Sequence, residues 1–498
     1  MTPASVPRPG GQDLVLAVDC STTAVKAVVH DRSGPVVRVA HPLTTDQPAP
    51  ARHEQDADQW WTATLAAVRE ALAALPDPGR VRAMCVTHQR ETFVCLDGGG
   101  RPLRPAILWL DGRAATEIRE LGTPRVHELS GKPPDTTPAL YKLAWLARHE
   151  PDTLRSATRI GDVQAYLAWR LTGRWATSLA SADTLGLLDL RRERWSAELM
   201  ALAGVRVAQL PALEPTGALL GMLSAAVTGE LGLPHPIPLV AGLGDGQAAG
   251  LGVDAAAPGI AYLNLGTSMV MGVQGDQYLW GSAFRTMAGV RPGRYTYETV
   301  LNAAAYLATW TVDQFGAGAD RSTLEDAAAQ VPPGAEGLLT LPYWNAAQTP
   351  YWDPSARGAV VGWHGRHSPA HLYRSVLEGV AFEIHLHLDR LEEATGLPVS
   401  TIRAVGGGAR SPLWAQIISD VTRRPVHICA EGEASAAGAA RVAWAHVDDG
   451  EFGAAVVPEE RTVTPQPEAA ARYAAMSASY RRLYPALKDV FADLRDGG

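Results

Sequence analysis

A chain of 498 residues, 46% apolar and 19% charged, has the composition of a folded globular protein of roughly two to four domains and excludes a largely disordered one. Its formal charge of -8, with Arg and Glu interspersed, argues against nucleic acid or an anionic membrane surface as partner. Cys20, Cys85, Cys95 and Cys429 show no C-x-x-C spacing and read as buried free thiols of a cytoplasmic protein; Met1–Gly10 lacks the pattern of a signal peptide, and no apolar run reaches membrane-spanning length.

The predicted elements begin with a hairpin. Leu14–Asp19 is an apolar strand, Cys20–Thr23 a small hydroxyl-rich turn, and Ala24–Val29 a second strand. A helix follows from Gln59 to about Leu75, with Trp60, Leu65, Val68 and Leu72 at helical spacing. Strands are expected over Val81–Val86 and Phe93–Leu96, then helices over Tyr141–His149 and Val163–Leu171, the latter stopped at Thr172-Gly173. Leu239–Ala241 leads into a glycine-rich loop, Gly242–Gly246, and a short apolar stretch, Gln247–Leu251. The small, Pro-terminated segment Val253–Pro258 divides the chain into halves, 1–254 and 255–498.

The second half repeats the order. Gly259–Asn264, the turn Leu265–Ser268 and Met269–Gly272 form another hairpin, and Leu372–Leu391 is a long helix with Val376, Val380, Ile384, Leu388 and Leu391 on one face. His385 and His387, two residues apart, face different ways and make a poor metal pair. Arg403–Val405 leads into Gly406–Gly408, Leu413–Val421 is a helix, and Arg472–Leu494 reads as one final amphipathic helix.

The two hairpin turns leave N–H groups and hydroxyls uncovered, the kind of concavity that binds anionic oxygens; two ordinary buried hairpins are the alternative. Neither a P-loop, a zinc-protease motif nor a serine-hydrolase elbow is present. What remains suits phosphoryl transfer, which needs phosphates held by donors and Mg²⁺ and a base to orient the attacking hydroxyl. Asp19, at the end of an apolar strand, would be costly to bury without a cation or donors, and Mg²⁺ would satisfy it. Lys26 either reaches a phosphate or points to solvent. Asp245, after a buried strand and among glycines, is placed either to take the proton of a substrate hydroxyl or to cap the helix that follows. Gln89-Arg90-Glu91 can donate to and accept from neighbouring hydroxyls, or form a solvated charged turn. Trp109, near Asp111 and Arg113, is either a sugar-stacking ring or a core tryptophan. Gly406–Ala409 offers bare backbone to a flat base, or is a plain helix entry.

Together these stretches resemble the FGGY carbohydrate kinases, the family of glycerol, xylulose, ribulose and gluconate kinases. The likeness runs from Leu14 to about Ala443 and includes Asp19–Thr23, Glu54–Asp56 with Trp60-Trp61, Gln89–Thr92, Arg104–Arg113, Lys142–Leu146 and Gly244–Ala249. It continues through Gly266–Ser268, Pro354–Gly358 and Gly406–Trp414. The resemblance implies an α/β fold of two actin-like (ribonuclease H-like) ATPase domains flanking a deep cleft. It implies ATP as co-substrate, Mg²⁺ as cofactor at Asp19 and Asp245, and Asp245 as general base. Arg90, Glu91, Trp109 and Gln247 would touch the sugar or polyol with Asp245; Ser21, Thr22, Thr23, Lys26, Gly266 and Thr267 would line the phosphates; Gly407, Gly408 and Ser411 would lie near adenosine. A homodimer is left open. Ser21 stands where the family usually has glycine, and Ala139 where it usually has Pro, Ser or Thr. Gln89–Thr92 resembles glycerol kinases, whereas Arg104–Arg113 and Gly406–Trp414 resemble xylulose kinases, so the implied acceptor is a small ketose or polyol. Gluconate, a tetritol, or a non-catalytic nucleotide sensor are the alternatives.

Overall fold

The computed structural model describes residues 13–430, 433–450, 452–453 and 457–496; the expectation drawn from Met1–Gly10 lies outside them. In the first half, β1 (Leu14–Cys20), β2 (Ala24–His30) and β3 (Pro35–Pro42) form an antiparallel meander. Beside β1 and parallel to it runs β4 (Val81–His88); β6 (Pro238–Gly244) is parallel to β4, and β5 (Leu219–Met222) closes the edge antiparallel. The second half repeats the scheme: β7 (Ile260–Leu265), β8 (Met269–Gly275) and β10 (Tyr295–Leu301) are the antiparallel trio, with β9 (Arg285–Ala288) added outside β10. Parallel β11 (Thr401–Val405) and β12 (Val426–Cys429) follow on the other side of β7, and β13 (Glu459–Val463) is the antiparallel edge. These are the two actin-like domains, one strand scheme used twice.

The strand chemistry explains the order. Leu14–Cys20 is buried along its whole length, as a near-continuous apolar strand in the middle of a covered sheet must be. Pro35–Pro42 alternates between half-buried and exposed positions, as an edge strand with one open face does. Leu16 and Val18 face a layer containing α1 (Ala57–Ala73) and α3 (Val163–Thr172), through Trp60, Val68, Tyr166 and Leu167. Val15 and Ala17 face the other way, into the same core as residues of α4 (Asp245–Gly252) and α8 (Ala434–Val447). Asp19 continues that second face at the strand's end.

Thus α8, which belongs by sequence to the second half, packs on the sheet of the first. Its crossing with α4 is close because two glycines meet it. A Cβ on Gly252 would sit 2.0 Å from the Ala434 carbonyl oxygen, and one on Gly438 2.0 Å from that of Ala248.

Two expectations are corrected. The stretch Gly242–Gly246 is no loop: Gly242 and Gly244 complete β6, and α4 begins at Asp245. The final helix is two, Pro467–Arg481 and Leu483–Asp496, because Pro485 has no N–H to donate to the Arg481 carbonyl and is tolerated only in a first turn. The long helix between is α6 (Pro369–Thr395), ended by Gly396 in a left-handed conformation. All four cysteines are free and buried. No helix among the described residues is long and apolar enough to cross a membrane.

Candidate active site

The strand ends of the first half converge on Asp19 and Asp245. Asp19 lies at the end of β1, 6% exposed, and its Oδ1 is buried without a hydrogen-bond partner. Burial first, then the Asp245 carboxylate and Glu433, push it up from 3.8 to about 7, against the opposing pull of Lys26. Asp245 is the first residue of α4 rather than its cap, since Gly244 holds the cap position. Its Oδ1 accepts from the Gly246 N–H at 2.7 Å and from Arg90 Nε at 3.1 Å. Burial, opposed by Arg90, raises its pKa, and Glu91 adds to the rise.

The glycines around Asp245 serve Arg90. A Cβ on Gly244 would come within 2.5 Å of Arg90 Cγ, and one on Gly246 within 2.9 Å of its Cζ. Lying in that bed, Arg90 bridges the halves, donating through its NH1 nitrogen to Glu298 of β10 at 2.9 Å. Glu298 also accepts from Tyr262 Oη at 2.5 Å and from Arg285 Nε at 2.7 Å, and Arg285 reaches Glu91 at 3.0 Å. Against the burial that would raise it, the guanidinium groups of Arg90 and Arg285 hold Glu298 down to about 2. The solvated charged turn considered for Gln89–Glu91 is therefore absent: Arg90 is 7% and Glu91 4% exposed. Glu91 carries φ +57, a left-handed backbone rare for a residue with a side chain. Its N–H donates to Thr184 Oγ1 at 3.2 Å.

A second buried bridge lies beside the first. Lys132 Nζ donates to Asp183 and to the Thr286 carbonyl of β9, both at 2.5 Å, and the other Asp183 oxygen accepts from the Ala288 N–H at 2.9 Å. Gln247, buried, donates to the Ala180 carbonyl at 3.1 Å and leaves its Oε1 without a partner.

The first hairpin turn is pinned by Gln89 and Trp109. Thr22 Oγ1 donates to Gln89 at 3.1 Å and accepts from Trp109 Nε1 at 3.0 Å, so its hydroxyl is already engaged. Trp109 is not a core residue; it is 37% exposed. Asp111 and Arg113, by contrast, are buried with Glu54 and hold the loop that carries Trp109. Ser21 spends its hydroxyl on the Ala24 carbonyl at 2.8 Å, while Thr23 is exposed. Lys26 neither floats in solvent nor stands alone: its Nζ lies 3.8 Å from Glu433.

In the second half, Thr267 is exposed, and the Gly266 and Thr267 carbonyls accept from the N–H groups of Ala305 and Ala304 at 3.0 Å. Gly406 takes φ +92, and a Cβ on it would meet the end of β7 at Leu265 O, 2.8 Å away; Gly407 opens to empty space. Ser411 caps the helix Pro412–Thr422 by accepting from the Trp414 N–H at 3.0 Å, and it also donates to Glu325. Asp19, Asp245, Arg90 and Glu91 thus share one neighbourhood, as do Thr22, Gln89 and Trp109. No direct contact among the described residues joins Thr267, Gly407, Gly408 or Ser411 to Asp19 or Asp245.

Sequence reasoning missed Glu298, Arg285, Tyr262, Lys132 and Asp183. The signal was available for two of them: Glu298 in Tyr295–Leu301 and Arg285 in Phe284–Ala288 are charges inside apolar strands, the argument that singled out Asp19.

The profile of the FGGY family of carbohydrate kinases, N-terminal domain, matches residues 14–252, and that of its C-terminal domain matches residues 261–446. The chain is 31% identical to the xylulose kinase of Escherichia coli over 491 residues, covering 96% of this chain and 100% of that one. It is 32% identical to the glycerol kinase of Dechloromonas aromatica over 452 residues, 86% of this chain and 88% of that one. The crystal structure of the xylulose kinase from Rhodospirillum rubrum superposes with a TM-score of 0.90 at 28% identity, over 96% of this chain and all of that one.

Proposed function

The chain belongs to the FGGY family of carbohydrate kinases and is a phosphotransferase that moves the γ-phosphate of ATP to an alcohol group, and we propose that its acceptor is a small neutral polyol or ketose activated by Asp245. The observation that carries this reading is the setting of Asp245: a carboxylate held by Arg90 and by the Gly246 amide of α4, beside the orphaned Oδ1 of Asp19. Held in this orientation, Asp245 accepts the proton of the substrate hydroxyl as that oxygen attacks phosphorus. The raised pKa that burial imposes makes it a better proton acceptor than an ordinary aspartate.

Mg²⁺ fits the residues present. Asp19 Oδ1 is buried and without a donor, and the Asp245 carboxylate is its electrostatic neighbour. Among the described residues no three or more His, Cys, Asp or Glu side chains converge as a metal cage. That is the arrangement expected where one or two carboxylates, water and substrate phosphates share the ion. When bound, Mg²⁺ would neutralise charge on the transferring phosphoryl group. Thr23 and Thr267, both exposed, are assigned to the phosphates with the Thr22 and Gly266 backbone, and Lys26 to the same side. Ser21 contributes backbone rather than its engaged hydroxyl. Gly407, Gly408 and Ser411 are assigned to adenosine, and Trp109, Arg90, Glu91 and Gln247 to the acceptor.

Charge favours a neutral acceptor over gluconate. Around the acceptor side Arg90, Arg285 and Lys132 face Asp245, Glu298, Glu91 and Asp183, so each cation already has a carboxylate. Lys142, buried nearby, gives all three of its protons to the Leu108, Trp109 and Thr137 carbonyls. A substrate carboxylate would enter without a counter-charge. ADP release measured against glycerol, erythritol, xylulose, ribulose and gluconate tests the reading: turnover of a neutral acceptor supports it, and gluconate as the best substrate would refute it.

A further inference from the structure

Arg285 stands out because the second half delivers it, from β9, into the acceptor side of the first. The guanidinium is almost wholly buried, 6% exposed. Two of its nitrogens go to Glu298 Oε1, Nε at 2.7 Å and the NH2 nitrogen at 2.5 Å. The NH1 nitrogen donates to Glu91 Oε1 at 3.0 Å and has Thr137 Oγ1 at 3.5 Å, the outer limit of a hydrogen bond. Thr137 in turn donates to Asp135 at 3.0 Å, and Asp135 accepts from Gln348 of the second half at 2.8 Å.

Counting protons shows what is left over. A guanidinium carries five N–H donors and no acceptor. The Nε proton, one NH2 proton and one NH1 proton are used on Glu298 and Glu91. One NH2 proton has no partner among the described residues, and one NH1 proton has only the distant Thr137. Both remaining protons can still serve a group that offers lone pairs. A hydroxyl or carbonyl oxygen of a neutral molecule fits; a carboxylate does not, because the surrounding carboxylates already balance both arginines. The order of contacts runs Asp245, Arg90, Glu298, Arg285, Glu91, so Arg90 and Glu298 stand between Arg285 and the base.

We propose that Arg285 is a specificity-determining residue of this kinase, supplied by the C-terminal half, whose free N–H groups bind an oxygen of the neutral acceptor at the end remote from the phosphorylated hydroxyl. The inference rests on the acceptor site proposed above. It makes recognition of the sugar a property of both halves, since Arg285 meets Glu91 only while β9 lies against the first half. Removing it weakens binding of the acceptor without touching the group that takes the proton.

The test is a functional-group cycle. For the best acceptor of the panel and its deoxy analogue lacking the oxygen farthest from the phosphorylated one, kcat and KM are measured for the wild type, Arg285→Gln, Arg285→Lys and Glu91→Gln. A hydrogen bond to a charged donor is expected to give the wild type a preference of about tenfold or more for the complete acceptor. Arg285→Gln should raise KM for that acceptor by about tenfold while kcat stays within about threefold, and the preference over the deoxy analogue should collapse toward one. Arg285→Lys keeps the charge between the two carboxylates, so it covers failure of the glutamine variant to fold; lacking the planar fork, it should also lose the preference. If the variants keep the wild-type KM and the wild-type preference while Glu91→Gln raises KM, Arg285 is a structural clamp only and the inference falls alone. If Glu91→Gln also leaves KM unchanged, the acceptor lies elsewhere and the site assignment falls with it.

Discussion

Replacing Asp19 with asparagine should destroy activity and at the same time stabilise the ligand-free protein, by an amount that depends on pH. In the folded chain burial and the Asp245 carboxylate lift Asp19 from 3.8 to about 7. Between those two values the folded state holds a proton that the unfolded state has released, so stability falls as pH rises through that window and levels off above about 7. A shift of about three units, at about 1.36 kcal/mol per unit, gives roughly 4 kcal/mol lost by pH 8. The asparagine of Asp19→Asn cannot titrate and stays neutral at every pH. The stability gap in favour of the variant should therefore widen by about 2–3 kcal/mol between pH 5 and pH 8, or by roughly 2–3 °C in Tm for a chain of 498 residues unfolding as one unit. Thermal unfolding of both proteins in chelator, from pH 5 to pH 9, reads this directly. Mg²⁺ with ADP should raise the wild-type Tm at pH 8 more than that of the variant, because a cation favours the charged carboxylate. A gap that is the same at pH 5 and pH 8 would refute the reasoning, since it would mean that Asp19 does not change its protonation on folding within that range.

Asp245→Asn should lower kcat by about a hundredfold or more while leaving ADP affinity within a few-fold, measured by steady-state kinetics and calorimetry; near-normal turnover would remove Asp245 from the mechanism. Arg90→Ala should cost about 3 kcal/mol or more in denaturant unfolding, because it leaves Glu298 buried with one cation instead of two, and Glu298→Gln in the same background should recover part of that loss. Gly438→Val should abolish soluble expression or lower Tm steeply, since a Cβ there meets the Ala248 carbonyl at 2.0 Å. Small-angle scattering on the free, acceptor-bound and acceptor-plus-unreactive-nucleotide forms should show a stepwise fall in radius of gyration; an unchanged value in all three would favour a rigid, closed cleft.

Much of this architecture is readable in the chain because its strongest signals are local. Leu14–Val18 and Ile260–Leu263 are unbroken apolar runs, and the turns soon after them fall where small residues and hydroxyls allow only a tight reversal. The long helix at Pro369–Thr395 declares itself by its apolar stripe. What escapes is set by distance along the chain. Arg90 and Glu298 are 208 residues apart, and nothing near either names the other. The run Gly242–Gly246 shows that backbone must come close to something, yet not that the something is the Arg90 side chain, so strand end and helix start read together as a loop. Thr22 shows the same limit: its hydroxyl is a fitting phosphate ligand by type, and only the folded chain brings Gln89 and Trp109 to it first.

The packing of α8 across the sheet of the first half bears on how this protein can be taken apart. By strand order the chain is a tandem repeat, which invites cutting the gene between the copies. A fragment ending near Gly252 would keep all six strands of its sheet but lose the cover over Val15, Ala17, Ala83, Cys85 and Val240, which share one core with Ala436, Ala439, Ala440 and Ala443. Its partner fragment would carry α8 with that apolar face bare. Neither piece is a self-sufficient folding unit, and complementation of the two in one cell would have to begin with the helix of one closing over the sheet of the other.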